Sequence, residues 1–166
     1  MPISDDEITG IGLVTYQWSL MEHMLALWTD IALGHPLTRG PKRIAFKDRA
    51  DIFRSQVKEK AVEPWRTQLI GLIDQATGMQ AERDKVVHWL WSEDDLKRPG
   101  IMDWRDGKSG KWNVDYEKLK KIALKIDSIH DGFCQIVFAT GKRTKAEGYL
   151  LSIAWQRVCG NNNPAE

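Results

Sequence analysis

Apolar residues recur near the start of the chain at steps of three and four: Ile8, Ile11, Val14, Trp18, Met21, Leu25, Trp28 and Ala32. That spacing lines one face of a helix and predicts a long one running to about Leu33. Ser4-x-x-Glu7 marks its entry as a capping box, in which hydroxyl and carboxylate satisfy early backbone N–H groups reciprocally. Gly34-His35-Pro36 marks its end, because Gly permits a left-handed cap and Pro forbids continuation. After a loop from Leu37 to Pro41, a second helix is predicted from about Ala45 to Val62, facing inward with Phe46, Ala50, Phe53 and Val57. Pro64 breaks the pattern and Trp65 opens a third helix. Its seam reads Leu69, Leu72, Ala76, Met79, position 83, Val86 and Leu90. Position 83 is Arg, a charge set in an otherwise apolar row.

The periodicity ends after Trp91. The stretch from about 92 to 113 is rich in Gly, Asp, Lys and Pro, and Asp106-Gly107 between short alternating segments predicts a β-hairpin insert. A fourth helix follows over Asp115 to Thr140, with Leu119, Ile122, Ile126, Ile129, Phe133 and Ile136 in unbroken three-four alternation and Gly141 as its cap. A last helix is predicted over Thr144 to Val158, carrying Leu150, Ile153 and Trp155. No repeat or linker interrupts the chain. The pattern therefore predicts one all-α domain over 1–160, an up-and-down bundle of four to five helices with a small hairpin insert, and a short polar tail at 161–166.

Composition narrows the functions open to such a bundle. With 42% hydrophobic and 28% charged residues, and 24 Lys+Arg against 23 Asp+Glu, the 166-residue chain has a globular profile and a net charge of +1. Disorder is excluded, and so is a general nucleic-acid coat, which needs a large basic excess. Two cysteines make no disulfide framework, no secretory segment opens the chain, and no apolar run is long enough to span a bilayer. A cytoplasmic protein with no membrane partner is expected. The 8 Trp are more than one small core holds, which places some of them at an interface.

The chemistry centres on the third helix. Asp84 and His88 are four apart and share a face, so the carboxylate can orient the imidazole. Arg83 stands about 140° from His88 around an ideal helix, so the two flank a stripe. The run Arg83-Asp84-Lys85-Val86-Val87-His88 resembles the R-x4-H motif of the HEPN superfamily, in which a polar residue commonly follows the arginine. The long first helix with Trp18, Glu22 and Leu25 at its middle is similar to that family's opening, and the resemblance extends over about Ile8 to Phe138.

It implies a HEPN-like bundle that pairs as a homodimer. In active members it implies a metal-independent ribonuclease of the defence, stress or toxin type, with RNA as substrate and an antitoxin protein as partner. His88 is then the general base on a ribose 2′-OH, Arg83 stabilises the phosphorane-like transition state, and Asp84 orients His88. The other reading is architectural: Arg83 pairs with Asp84 or Glu22, and the chain is a non-catalytic helical dimerisation module that binds RNA or a protein.

Lys42, Arg43, Lys47 and Arg49 belong to a basic run between Arg39 and Lys60 that either tracks an RNA backbone or forms a solvated helix face. Lys142, Arg143 and Lys145 form a smaller group. Trp89 and Trp91 either stack a base or pack the hairpin. Gly107-Lys108-Ser109 lacks the upstream glycine of a phosphate loop, the four histidines show no paired metal spacing, and Cys134 reads as a small buried hydrophobe. No cofactor and no metal are expected.

Overall fold

The computed structural model describes residues 4–35, 44–88, 90–93, 99–102, 112–140 and 147–160, with the backbone alone at 88, 90–93, 99–102, 112–113, 140 and 147–150. Its body is all-α, with five helices among the described residues: α1 (Asp5–Ala32), α2 (Phe46–Lys60), α3 (Trp65–His88), α4 (Tyr116–Thr140) and α5 (Glu147–Val158). Between α3 and α4 the backbone carries three short strands, β1 (Leu90–Glu93), β2 (Pro99–Met102) and β3 (Trp112–Asn113). They pair antiparallel in the order β1-β2-β3, with Trp91 opposite Ile101 and Ile101 opposite Trp112. The Asp106-Gly107 turn expected in this stretch lies outside the described residues.

Local chemistry sets the helix ends. Ser4 N–H donates to Glu7 Oε2 at 2.8 Å and Glu7 N–H to Ser4 Oγ at 3.3 Å, closing the capping box. At the far end of α1, Gly34 has φ +72°; its N–H reaches Ile31 O at 2.9 Å, and His35 N–H reaches Asp30 O at 2.8 Å. Those two bonds form a Schellman cap. Lys60 Nζ adds a third, to Ala32 O at 3.1 Å, bringing a positive charge to the negative end of the helix dipole. Asp115 caps α4 through Lys118 N–H at 2.8 Å.

The chain forms two compact units, one of Met1–Leu20 and Gly78–Ser128, the other of Met21–Thr77 and Ile129–Glu166. In the first, Val14, Trp18, Val86, Val114, Leu119, Ile122 and Ile126 are buried. Here α1 and α4 approach so closely that a Cβ on Gly10 would meet Leu119 Cβ at 2.8 Å. The second is built on an aromatic cluster in which Phe53 lies 6.0 Å from Trp28, 6.5 Å from Phe133 and 6.0 Å from Trp155, ring centre to ring centre. Trp28 meets Trp155 edge-on at 6.3 Å. Such contacts add to the apolar area that each large ring removes from water. Val62 N–H donates to Val158 O at 2.8 Å, tying the α2–α3 connection to the end of α5.

The inward face of α4 is the expected row from Leu119 to Ile136, without exception. Elsewhere the expected faces need correcting. Ile8 is 55% exposed and stands outside the core. On α3, Ile73 is buried where Leu72 and Met79 are half-buried, so the inward row is Leu69, Ile73, Ala76 and Val86. On α5 Trp155 is buried as expected, together with Leu151, Ala154 and Val158, while Ile153 is half-buried and the side chain of Leu150 lies outside those described.

Candidate functional site

Arg83 lies in the last third of α3, on the first unit, and its guanidinium is positioned from two sides. Its carbon Cζ sits 5.5 Å from the ring centre of Trp18, which is only 3% exposed. Its Nη1 donates to Asp84 Oδ1 at 3.0 Å, with 21% of the arginine side chain and 38% of the aspartate side chain exposed. A cation over an indole that water does not reach is held more strongly than one over an exposed ring, by up to about 2 kcal/mol. The ion pair, reached by solvent, contributes less. Lys85 Nζ pairs with Glu82 Oε1 at 3.4 Å along the same helix.

An arginine tolerates this position in the seam because its planar fork can lie flat on Trp18 while its edge reaches a carboxylate. Asp84, one of the two partners expected for Arg83, is engaged by it. His88 is the last residue of α3, and its side chain is not among those described, nor are the side chains of Trp89 and Trp91.

The basic residues separate. Lys42 and Arg43 lie outside the described residues, as do Lys142, Arg143 and Lys145. Lys47 is exposed. Arg49, expected on an RNA-facing surface, is 4% exposed and packed with the core of the second unit. Burial of that depth withdraws it from contact with a phosphate backbone, which binds exposed cations. Arg54, on the same helix, pairs with Asp74 at 2.7 Å.

A groove of about 540 Å³ in the second unit is lined by α3 residues Trp65, Thr67, Gln68, Gly71, Leu72 and Gln75 and by α4 residues Gly132, Gln135, Ile136 and Ala139. None of these side chains is ionisable near neutral pH. The groove therefore offers no acid, base or cation for phosphate chemistry.

A second group of reactive side chains lies on α4. Cys134 Sγ is 3.6 Å from His130 Nε2, and His130 Nδ1 is 3.7 Å from Asp131 Oδ1. Burial pushes the Cys134 thiol pKa up from its ordinary value, and the neighbouring Asp131 carboxylate pushes it further. Cys159 is likewise raised by burial, with Lys60 opposing the shift. Reading the histidines only against one another hides this group. The i, i+4 spacing of His130 and Cys134 was the signal available in the sequence.

Among the described residues no helix is long and apolar enough to cross a membrane. Comparison with protein-family models, curated proteins and solved structures finds no match to the chain.

Proposed function

We propose that the chain is a HEPN-like helical protein with a small β insert that cleaves RNA without a metal ion, as a homodimer, at Arg83 and His88. The observation that supports this reading is the fixed guanidinium of Arg83. It is oriented by Trp18 and Asp84, keeps 21% of its side chain in solvent, and lies five residues before His88 at the end of the same helix. In the proposed reaction His88 removes the proton of a ribose 2′-OH, and the 2′-oxygen attacks the adjacent phosphorus. The 5′-oxygen leaves and takes up a proton, giving a 2′,3′-cyclic phosphate and a 5′-OH end. Arg83 stabilises the charge that develops on the phosphorane-like transition state. Asp84, four residues before His88, orients both side chains. An antitoxin protein is the regulatory partner such an enzyme calls for.

A second reading has its own observation. Trp18 and Asp84 already engage Arg83 within the chain, as they would an arginine that only holds α1 to α3. On that reading the chain is a non-catalytic dimerisation module that binds RNA or a protein.

One experiment separates the two readings: incubation of mixed RNA with the protein in EDTA, comparing wild type with His88→Ala and Arg83→Ala, each first checked for folding and oligomeric state. The catalytic reading requires cyclic-phosphate ends that form despite chelation. It also requires a rate loss on the order of 10²–10⁴-fold in His88→Ala, the usual worth of a general base. RNA left intact by wild type across several substrates, or cut equally by the variants, would leave the module. Sizing should give about 38 kDa, twice the 19.0 kDa chain.

A further inference from the structure

We infer that His130 and Cys134 form a binding site for a thiophilic divalent cation of the zinc class, with Asp131 positioning the imidazole. The argument is geometric. Residues four apart on a helix project from one face a single turn apart, so α4 presents the imidazole and the thiol side by side. A zinc-class ion binds imidazole nitrogen at about 2.0–2.1 Å and thiolate sulfur at about 2.3 Å, with a tetrahedral angle between them. Those values place the two ligand atoms about 3.5 Å apart. Nε2 and Sγ are 3.6 Å apart and share a hydrogen bond, so the two atoms already stand at the separation that a shared ion requires, and the ion takes the place of the bridging proton.

The second nitrogen of the ring completes the pattern. His130 Nδ1 faces Asp131 Oδ1 at 3.7 Å. A carboxylate on that side favours the tautomer with the ring proton on Nδ1, which leaves Nε2 unprotonated and able to ligate, as carboxylates beside metal-ligating histidines do. One side of the pair is open. The His130 side chain keeps 20% of its surface exposed and Asp131 keeps 63%, so an ion has an entry path and water can fill the remaining coordination positions.

Binding displaces the thiol proton to solvent. The free ion, the thiol and the neutral imidazole become a thiolate–metal–imidazole unit and one released proton, with no change of oxidation state. The mixed nitrogen and sulfur set selects zinc, cobalt or nickel over magnesium and calcium, which take oxygen ligands. The site lies in the second unit and Arg83 in the first, and the proposed RNA cleavage does not use it.

Cobalt(II) is the probe, because a cobalt–thiolate bond gives a near-ultraviolet charge-transfer band that oxygen and nitrogen ligands do not. Titration of the full, reduced, metal-free chain should develop that band with saturation at one cobalt per chain, and zinc but not magnesium should bleach it. Cys134→Ser should abolish the band and Cys159→Ser should leave it intact. Asp131→Asn should retain the band while weakening binding about 10–100-fold, the usual effect of removing a histidine's carboxylate partner. A measurement on wild type alone stands behind the variants: saturating zinc should slow alkylation of Cys134 and leave that of Cys159 unchanged. Absence of the band, its survival in Cys134→Ser, or alkylation of Cys134 unaffected by zinc would each overturn the assignment. None of these readouts depends on ribonuclease activity.

Discussion

Arg83→Met removes the guanidinium and keeps a long, unbranched side chain over Trp18. Two of its contacts set the magnitude. The first is the cation over an indole that is 3% exposed, worth about 1–2 kcal/mol where the ring is this dry. The second is the pair with Asp84, whose side chain is 38% exposed, worth about 0.5 kcal/mol after solvent screening. Together they predict a loss of about 2 kcal/mol, and at roughly 2–4 °C per kcal/mol for a chain of this size the melting temperature falls by about 4–8 °C. A double-mutant cycle isolates the first contact. Trp18→Leu, Arg83→Met and the double variant, measured by urea unfolding, should give a coupling energy of about 1–2 kcal/mol. The parallel cycle with Asp84→Asn should give less than half of that. A Trp18–Arg83 coupling below about 0.5 kcal/mol would refute the claim that Trp18 holds the guanidinium. The result also sets the baseline for cleavage assays, since an Arg83 variant that has lost both activity and stability says nothing about catalysis.

Three further expectations can be checked by the same unfolding measurements. Gly12→Ala meets nothing within 4 Å and should stabilise α1 by about 0.5–1 kcal/mol, whereas Gly10→Ala meets Leu119 Cβ at 2.8 Å and should fall about 1–3 kcal/mol below it; equal effects would mean that α1 and α4 are not so close. Ile73→Ala should cost about 2–5 kcal/mol and Met79→Ala clearly less, since only Ile73 is fully buried; the reverse order would restore the heptad seam read from sequence. Burial raises the pKa of both thiols above the ordinary 9.0, so the folded chain holds those protons more tightly than the unfolded one. Their contribution is intact below about pH 9 and is lost as the pH climbs through the raised values; stability that rises from pH 9 to 10.5 in both Cys→Ser variants and wild type alike would contradict it.

The helices were legible because their apolar spacing and their end signals agree. Ser4, Glu7 and Gly34 each satisfy or bend the backbone locally, and no distant residue is needed to predict it. The inward face of α4 was legible for a related reason, since no competing apolar row runs beside Leu119, Ile126 and Phe133. Where adjacent apolar residues offer two rows, spacing alone does not choose between them. Leu72 against Ile73 is such a case, and a 3.5-residue seam drifts from the 3.6-residue helix in the direction of the error. The burial of Arg49 was hidden because a run of like charges reads as a surface. At the candidate site, Arg83 announced itself as a charge in an apolar row, but its ring partner lies 65 residues away on α1, a distance that no local pattern spans. His130 and Cys134 were within reach of spacing, yet a cysteine beside an apolar seam looks like packing until the imidazole is seen beside it.

The edge-on pair of Trp28 and Trp155 gives the second unit an optical signature of its own. Two indoles at 6.3 Å are close enough for their excited states to couple, and that coupling vanishes when either ring leaves its place. Trp18, on the first unit, stands instead beside a guanidinium. The near-ultraviolet difference between wild type and Trp155→Phe isolates the Trp28–Trp155 pair from the other tryptophans, and its loss in denaturant reports when the second unit comes apart.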